Sequence, residues 1–208
     1  MLKITPEVAR IHAHLCGDGY ISRSVVKRLK KELINHPRKK ITRDRYDIRY
    51  TAQNPVLRKN FKKDVKIALK RECVLCSGKR ELSVSGKRVF DEFVLLGVGK
   101  SREWFIPDVI MKADDRVIRQ WLRAFFDDEA TVDQSRKRIR IKLVNLNGLK
   151  QIKKLLKRLG IKSNITGPNC DKTWYITTKE LDKFNNLIGF SEPNKKSKLE
   201  KLIETKNW

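Results

Sequence analysis

Two stretches of this chain end an apolar run on carboxylates. The first is 11–19, IHAHLCGDG, with its acid at Asp18; the second is 122–130, LRAFFDDEA, with Asp127, Asp128 and Glu129 in succession. Carboxylates brought together offer hard oxygen ligands to an ion such as Mg2+. An ion held between a carboxylate pair and a phosphodiester activates water and stabilises the leaving oxygen. For either stretch alone a turn is the competing reading, because Asp-Gly is common in loops. Both together, in a chain with 49 Lys and Arg against 24 Asp and Glu and a net charge of +25, favour the metal.

The elements that position these acids repeat. The segments 8–22 and 117–133 each read as an apolar helix stopping at an acid, and a helix apolar all round is buried on all sides. The first carries a stripe of small residues, Ala9, Ala13, Cys16 and Gly17, and Ala124 holds the matching place in the second. Small facing residues let two helices pack backbone to backbone, making them the seam between two lobes. A helix C-terminus already bears partial negative charge, so two acid-bearing ends side by side call for a cation.

After each helix comes a basic alternating segment (44–54 and 135–147), an amphipathic helix (56–70 and 149–162) and a strand-turn-helix (80–98 and 173–190) ending at Gly97 or Gly189. Each half therefore reads as α-β-β-α-β-α, the first enlarged by a basic insertion at 23–43. The boundaries expected are an N-terminal lobe at 1–98, a linker at 99–116 containing Pro107, and a C-terminal lobe at 117–208. Asp114 or Asp115 is placed to cap the second motif helix.

The composition fits a globular chain whose partner is a polyanion, nucleic acid by default. There is no 18-residue apolar run and no apolar leader in MLKITPEVAR, which points to the cytoplasm, or to an organelle with a targeting segment absent. CVLC at 73–76 is a single CxxC with no second half, so a strand or turn with semi-buried thiols is favoured over zinc. His12, His14 and His36 are too scattered for a ligand set.

In 138–143, Ile139, Ile141 and Leu143 alternate with Arg138, Arg140 and Lys142. Period two puts the first set on the core and the second on an open sheet face, and a stripe of like charges there wants a counter-charge. Ile48 and Tyr50 alternate with Arg49 and Thr51 in the same way. The reading is a basic β-surface against a nucleic-acid backbone, with Thr51, Gln53, Asn145 and Asn147 offered to base edges.

The two nine-residue stretches, the linker KSREWFIPDVI (100–110) and the duplicated order together resemble the LAGLIDADG homing endonucleases, in their single-chain, two-motif form. The resemblance implies an α+β fold of two pseudo-symmetric αββαββα lobes whose antiparallel sheets form a saddle over DNA, with the motif helices packed between them. It implies a monomeric, intron-encoded or archaeal-type enzyme that cuts both strands of a long, near-palindromic or asymmetric site using two or three Mg2+ ions. Carried over by position, the metal ligands are Asp18 and Glu129, with the Gly17 or Asp128 carbonyl nearby. Lys142 and Lys100 are the candidate charge stabilisers, and Arg49, Thr51, Gln53, Arg138, Arg140, Lys142 and Asn145 face DNA. The alternative on the same scaffold is binding without cleavage, as an RNA maturase acting on intron RNA or a domesticated regulator. Three departures stand out. Ala130 follows the second acid where glycine is frequent, which makes any positive φ there expensive. Trp104 and Leu146 stand where lysines are common.

Overall fold

Thr5 begins the first element: its hydroxyl accepts the Val8 N–H at 3.4 Å, and Pro6 fills the first helical position. The computed structural model describes residues 2–29, 40–76, 78 and 80–205, with side chains described outside 27–29 and 40–42. The first lobe runs α1 (Pro6–Cys16), β1 (Gly19–Leu29), β2 (Lys40–Thr51), α2 (Pro55–Leu69), β3 (Val74–Leu75), β4 (Glu81–Ser85) and α3 (Lys87–Leu95). A one-turn α4 (Asp108–Met111) lies in the connection. The second lobe repeats the order with α5 (Asp115–Glu129), β5 (Ala130–Asp133), β6 (Arg138–Leu143), α6 (Leu146–Arg158), β7 (Asn164–Thr166), β8 (Trp174–Thr178) and α7 (Leu181–Leu187), and adds α8 (Pro193–Glu204). The basic insertion at 23–43 is built partly from the β1–β2 pair; its residues 30–39 lie outside the described residues.

Each lobe is thus αββαββα, one strand more than hydrophobic period alone indicates. The extra strands, β3 and β7, have 2 and 3 residues, too few to show an alternation. β3 is the middle of CVLC, whose Cys73 and Cys76 are free and partly buried. Both sheets are antiparallel, in the orders β1-β2-β4-β3 and β5-β6-β8-β7.

The register sets the two faces. Ile48 opposes Ile21 and Val84, Tyr50 opposes Leu82, and Ile141 opposes Ala130 and Ile176, so these side chains share the core faces. Arg49 opposes Tyr20 and Ser83, while Arg140 opposes Thr131 and Thr177, on the other faces. Phe61, Val65 and Phe93 fill the first core, and Leu149, Ile152, Leu156 and Phe184 the second. Gly97 and Gly189 stop α3 and α7 with φ of 90° and 64°, the left-handed region glycine enters freely.

Asp114 caps α5, its Oδ1 accepting the Val117 N–H at 2.8 Å. Trp104, at a position where the family pattern suggests lysine, is a core residue. It packs on Phe125 at 5.2 Å between ring centroids, and its carbonyl accepts the Asn145 Nδ2–H at 2.7 Å. Leu146 opens α6. Gly148 in that helix lies directly on the indole: a Cβ there would stand 2.3 Å from Trp104 Cη2. Gly148→Ala is expected to lower stability by about 1–3 kcal/mol through overpacking, visible as a lower unfolding midpoint; an unchanged midpoint would mean that the indole moves aside freely.

Candidate metal and nucleic-acid site at the helix seam

The two motif helices do pack together, and Ala9, Ala13 and Cys16 on α1 and Ala124 on α5 are all buried. A Cβ on Gly17 would come within 3.0 Å of Asp128 Cβ and Oδ2, so α1 ends against the side chain of Asp128. Gly19 is needed for a different reason, since a Cβ there would lie 2.7 Å from the His14 carbonyl and 2.8 Å from that of Arg49. Ala130 answers one expectation: its φ of −83° and ψ of 148° are ordinary extended backbone. No positive φ is required there, and the missing glycine carries no strain.

The acidic run divides its labour. The helix α5 runs through all three acids and ends at Glu129. Asp127 is buried, and its Oδ1 accepts the backbone N–H groups of Ser191 and Glu192 at 2.8 and 3.0 Å, fixing the start of α8. Burial pushes its pKa up to about 6 despite those bonds. The Asp128 carboxylate is held by the other lobe: Tyr50 Oη–H donates to Oδ1 at 2.7 Å, and His14 Nδ1 lies 2.8 Å from Oδ2. Burial works against the His14 charge, but Asp128 outweighs it and raises the His14 pKa. Nearby, Trp121 Nε1–H donates to His12 Nδ1 at 2.9 Å and His12 Nε2 sits 2.9 Å from the Leu96 carbonyl. Both histidines are therefore seam residues.

Asp18 and Glu129 are left without such partners among the described hydrogen bonds and ion pairs. Burial and the Asp128 charge push Asp18 up to about 6; burial, Asp18 and Asp128 push Glu129 up to about 7. Each pKa records two carboxylates short of positive charge. Hard oxygen donors in that state suit a divalent cation. Among the described residues no group of three or more His, Cys, Asp or Glu is arranged around one point for a metal. The protein would supply two carboxylates, leaving the remaining positions to water, backbone carbonyls or phosphate.

A cation that the sequence does not mark also reaches this helix end. Lys195, in the first turn of α8, donates from Nζ to the carbonyls of Phe126, Asp127 and Asp128 at 3.3, 2.5 and 3.1 Å. The Glu192-Pro193 pair marks a helix start, but nothing local says where that helix docks. Lys142 pairs instead with Asp171 at 2.6 Å, and Lys100 is exposed in the turn after α3. Neither has a described bond to Asp18 or Glu129.

The open sheet faces are basic, and their charges come with acids. Arg49 donates to Asp47 and Glu81 at 3.1 and 3.0 Å, and Arg138 to Asp133 at 3.0 Å. Arg140 lies over the Tyr175 ring at 5.4 Å with no described carboxylate partner. Thr51 is half-buried and Gln53 exposed. Asn145 is a correction: it is buried, caps α6 by accepting the Gly148 N–H at 2.9 Å, and bonds the Trp104 carbonyl. Its amide is used up inside the lobe and cannot reach a base.

Comparison with known proteins adds three findings. Residues 116–189 match the family described as LAGLIDADG-like domain. Over 105 residues, 50% of the chain, it is 30% identical to the probable translation initiation factor IF-2 of Thermococcus kodakarensis; over 96% of its length it is 25% identical to glutamine–fructose-6-phosphate aminotransferase of Methanocaldococcus jannaschii. It spans only 9% and 18% of those two relatives. The crystal structure of I-DmoI in complex with DNA and Mn superposes with a TM-score of 0.63 over 89% of this chain and 97% of that one, at 18% identity. The shared feature at that identity is the two-lobe fold.

The raised carboxyls have a measurable consequence. A group that binds its proton more tightly folded than unfolded stabilises below its unfolded pKa and loses that contribution as pH rises through its folded value. In chelator, Glu129 should therefore give up stability between about pH 4.5 and pH 7, on the order of 2 kcal/mol once solvent screening is allowed for. Thermal unfolding of wild type and Glu129→Gln across this range should show the wild type declining more steeply; parallel curves would rule the coupling out.

Proposed function

We propose that this chain, which matches a LAGLIDADG-like domain over 116–189 and shares the two-lobe fold of I-DmoI, is a site-specific endonuclease that hydrolyses phosphodiesters in both strands of double-stranded DNA with divalent metal ions. The observation that carries this is the pair Asp18 and Glu129, at adjoining helix ends, both with pKa raised by burial and by neighbouring carboxylates, Asp128 for both and Asp18 also for Glu129, while neither has a described bonding partner. Buried structural acids in the same run, Asp127 and Asp128, are bonded.

In this reading Asp18 and Glu129 are the metal ligands, with the Gly17 or Asp128 carbonyl beside them. Divalent ions bound there would supply water activation and charge neutralisation at the scissile phosphates. The protein's own part is geometric. Gly17 and Gly19 let the helix ends and the first strand come close enough for two carboxylates to share one region. The Asp128 bonds to His14 and Tyr50 lock the lobes, and so fix the spacing between the two acids. Duplex DNA lies across the open sheet faces, where Arg49 and Arg140 hold equivalent places in the two lobes and Arg138 and Lys142 add charge. Tyr20 and Tyr175 sit under these cations and limit their rotamers. Thr51 and Gln53 are offered to base edges.

The proposal is tested by cleavage of a plasmid library of candidate sites. Asp18→Asn and Glu129→Gln should each lower cleavage by roughly 100-fold or more while leaving DNA affinity within a few-fold of wild type. Full activity in either would remove the assigned metal site. Tight, salt-sensitive binding with no cleavage in any divalent ion would instead support the binding-only reading, as an RNA maturase or regulator. Log K should fall steeply with log salt, by about 0.9 per neutralised phosphate, and Arg140→Ala should flatten that slope by about 0.9. Arg140 is the clean choice because no buried acid is orphaned by its removal.

A further inference from the structure

The candidate site holds a cation of its own. Of the lysines on α8, Lys196, Lys198 and Lys201 point to solvent, and Lys195 alone turns inward. Its ammonium spends three N–H donors on three of the last carbonyls of α5, those of Phe126, Asp127 and Asp128. The Phe126 carbonyl also accepts the Ala130 N–H that closes the helix; those of Asp127 and Asp128 lie beyond the helix's own donors, and all three carry the negative end of its dipole. Three acids sit on the same turn, concentrating negative charge at this helix end of a strongly basic chain.

Lys195 is held there from several directions. The Asp127 carboxylate binds the backbone of Ser191 and Glu192 immediately before the helix. Glu192 is buried; its Oε2 accepts the Lys195 N–H at 2.6 Å, and its Oε1 accepts from Asn54 Nδ2 in the first lobe at 2.6 Å. The first turn of α8 is therefore tied to both lobes, and the lysine it carries has little freedom to leave. Its charge reaches past the helix end, attracting the carboxylates of both Asp18 and Glu129.

We propose that Lys195 is a tethered counter-ion of the Asp18–Glu129 site, latched by Asp127 and Glu192, which stabilises the protein when no metal is bound and weakens the binding of divalent cations to it. The inference rests on the metal-ligand reading of Asp18 and Glu129 above. A fixed positive charge offsets carboxylate repulsion in the metal-free protein, and the same charge opposes a second cation brought to the same carboxylates. Lys195 is in this sense a positioning residue for α5 and an electrostatic competitor for the ion, without touching the reacting atoms.

The test uses the full chain and Mn2+ alone, following thermal unfolding in chelator and across a Mn2+ titration. Lys195→Met removes the charge and keeps the stem; Lys195→Gln removes the charge and keeps a donor for the carbonyls, in case the first variant folds poorly. Lys195→Arg keeps the charge. In chelator, the two neutral variants should unfold at lower temperature than wild type. Their half-saturating Mn2+ concentration should be lower by roughly tenfold, while Lys195→Arg stays near wild type in both measurements. Glu129→Gln should lose the Mn2+ response. An unchanged or higher half-saturating concentration in both neutral variants, with the wild-type response intact, would overturn the proposal and leave Lys195 as a helix cap. Absence of any Mn2+ response in every variant, wild type included, would overturn the metal site itself along with it.

Discussion

Two helix C-termini pressed against each other are electrostatically unfavourable, and the seam between α1 and α5 presses them together and adds acids. Each end carries roughly half a negative charge from its unpaired carbonyls before any side chain is counted. The close approach of Gly17 to Asp128 leaves no room for water to separate them. Nearly every polar feature around the seam can be understood as a response. Tyr50 and His14 cover Asp128, the start of α8 covers Asp127, and Lys195 covers the carbonyls. What remains uncovered is Asp18 and Glu129. Both feel the Lys195 charge only at a distance, with no direct bond, unlike the acids beside them, and the proposed metal site rests on that difference.

The two lobes share an order of elements but solve this problem unequally. Where α5 has Asp127 and Asp128, the equivalent positions of α1 are Cys16 and Gly17. The first helix end thus contributes one acid and a flat surface, and the second contributes three acids and the means to hold them. Among the described residues α8 has no counterpart in the first lobe, and its buried cap, Glu192, reaches across to Asn54. The appended helix is tied to the extra charge of the second motif. Asp127 orders the start of α8, and α8 returns a lysine to the helix that Asp127 sits on. Removing either half of that exchange leaves buried polar groups without partners, which is the costly outcome in a low-dielectric seam.

Much of this was legible in the chain. Alternation at 138–143 gave the faces of β6, small-residue spacing gave the seam, and Asp114, Gly97 and Gly189 gave helix ends, because each is a local rule read over a few residues. The short strands β3 and β7 were not legible, having no room for a period. Neither was the fate of Asn145: a polar residue after a basic strand looks solvent-facing until Trp104 arrives from forty residues earlier to take its amide. Lys195 is the clearest case. One lysine among 49 Lys and Arg carries no mark of its own, and only the docking of α8 distinguishes it from Lys196 beside it.

The sheet faces show the same logic at lower intensity. A face of arginines alone would repel itself, and the chain intersperses Asp47, Glu81, Asp133 and Asp171 to prevent this. The hydrogen bonds from Arg138 and Ser135, with burial opposing them, leave Asp133 at about 2, and those from Lys142 and Thr173 do the same for Asp171. Such acids stay charged at any physiological pH and hold their partners in fixed rotamers. Under the proposed function, a phosphate approaching the face would meet cations already oriented and would have to displace or share a carboxylate to bind. Arg140, stacked on Tyr175 without a described acid, is the exception.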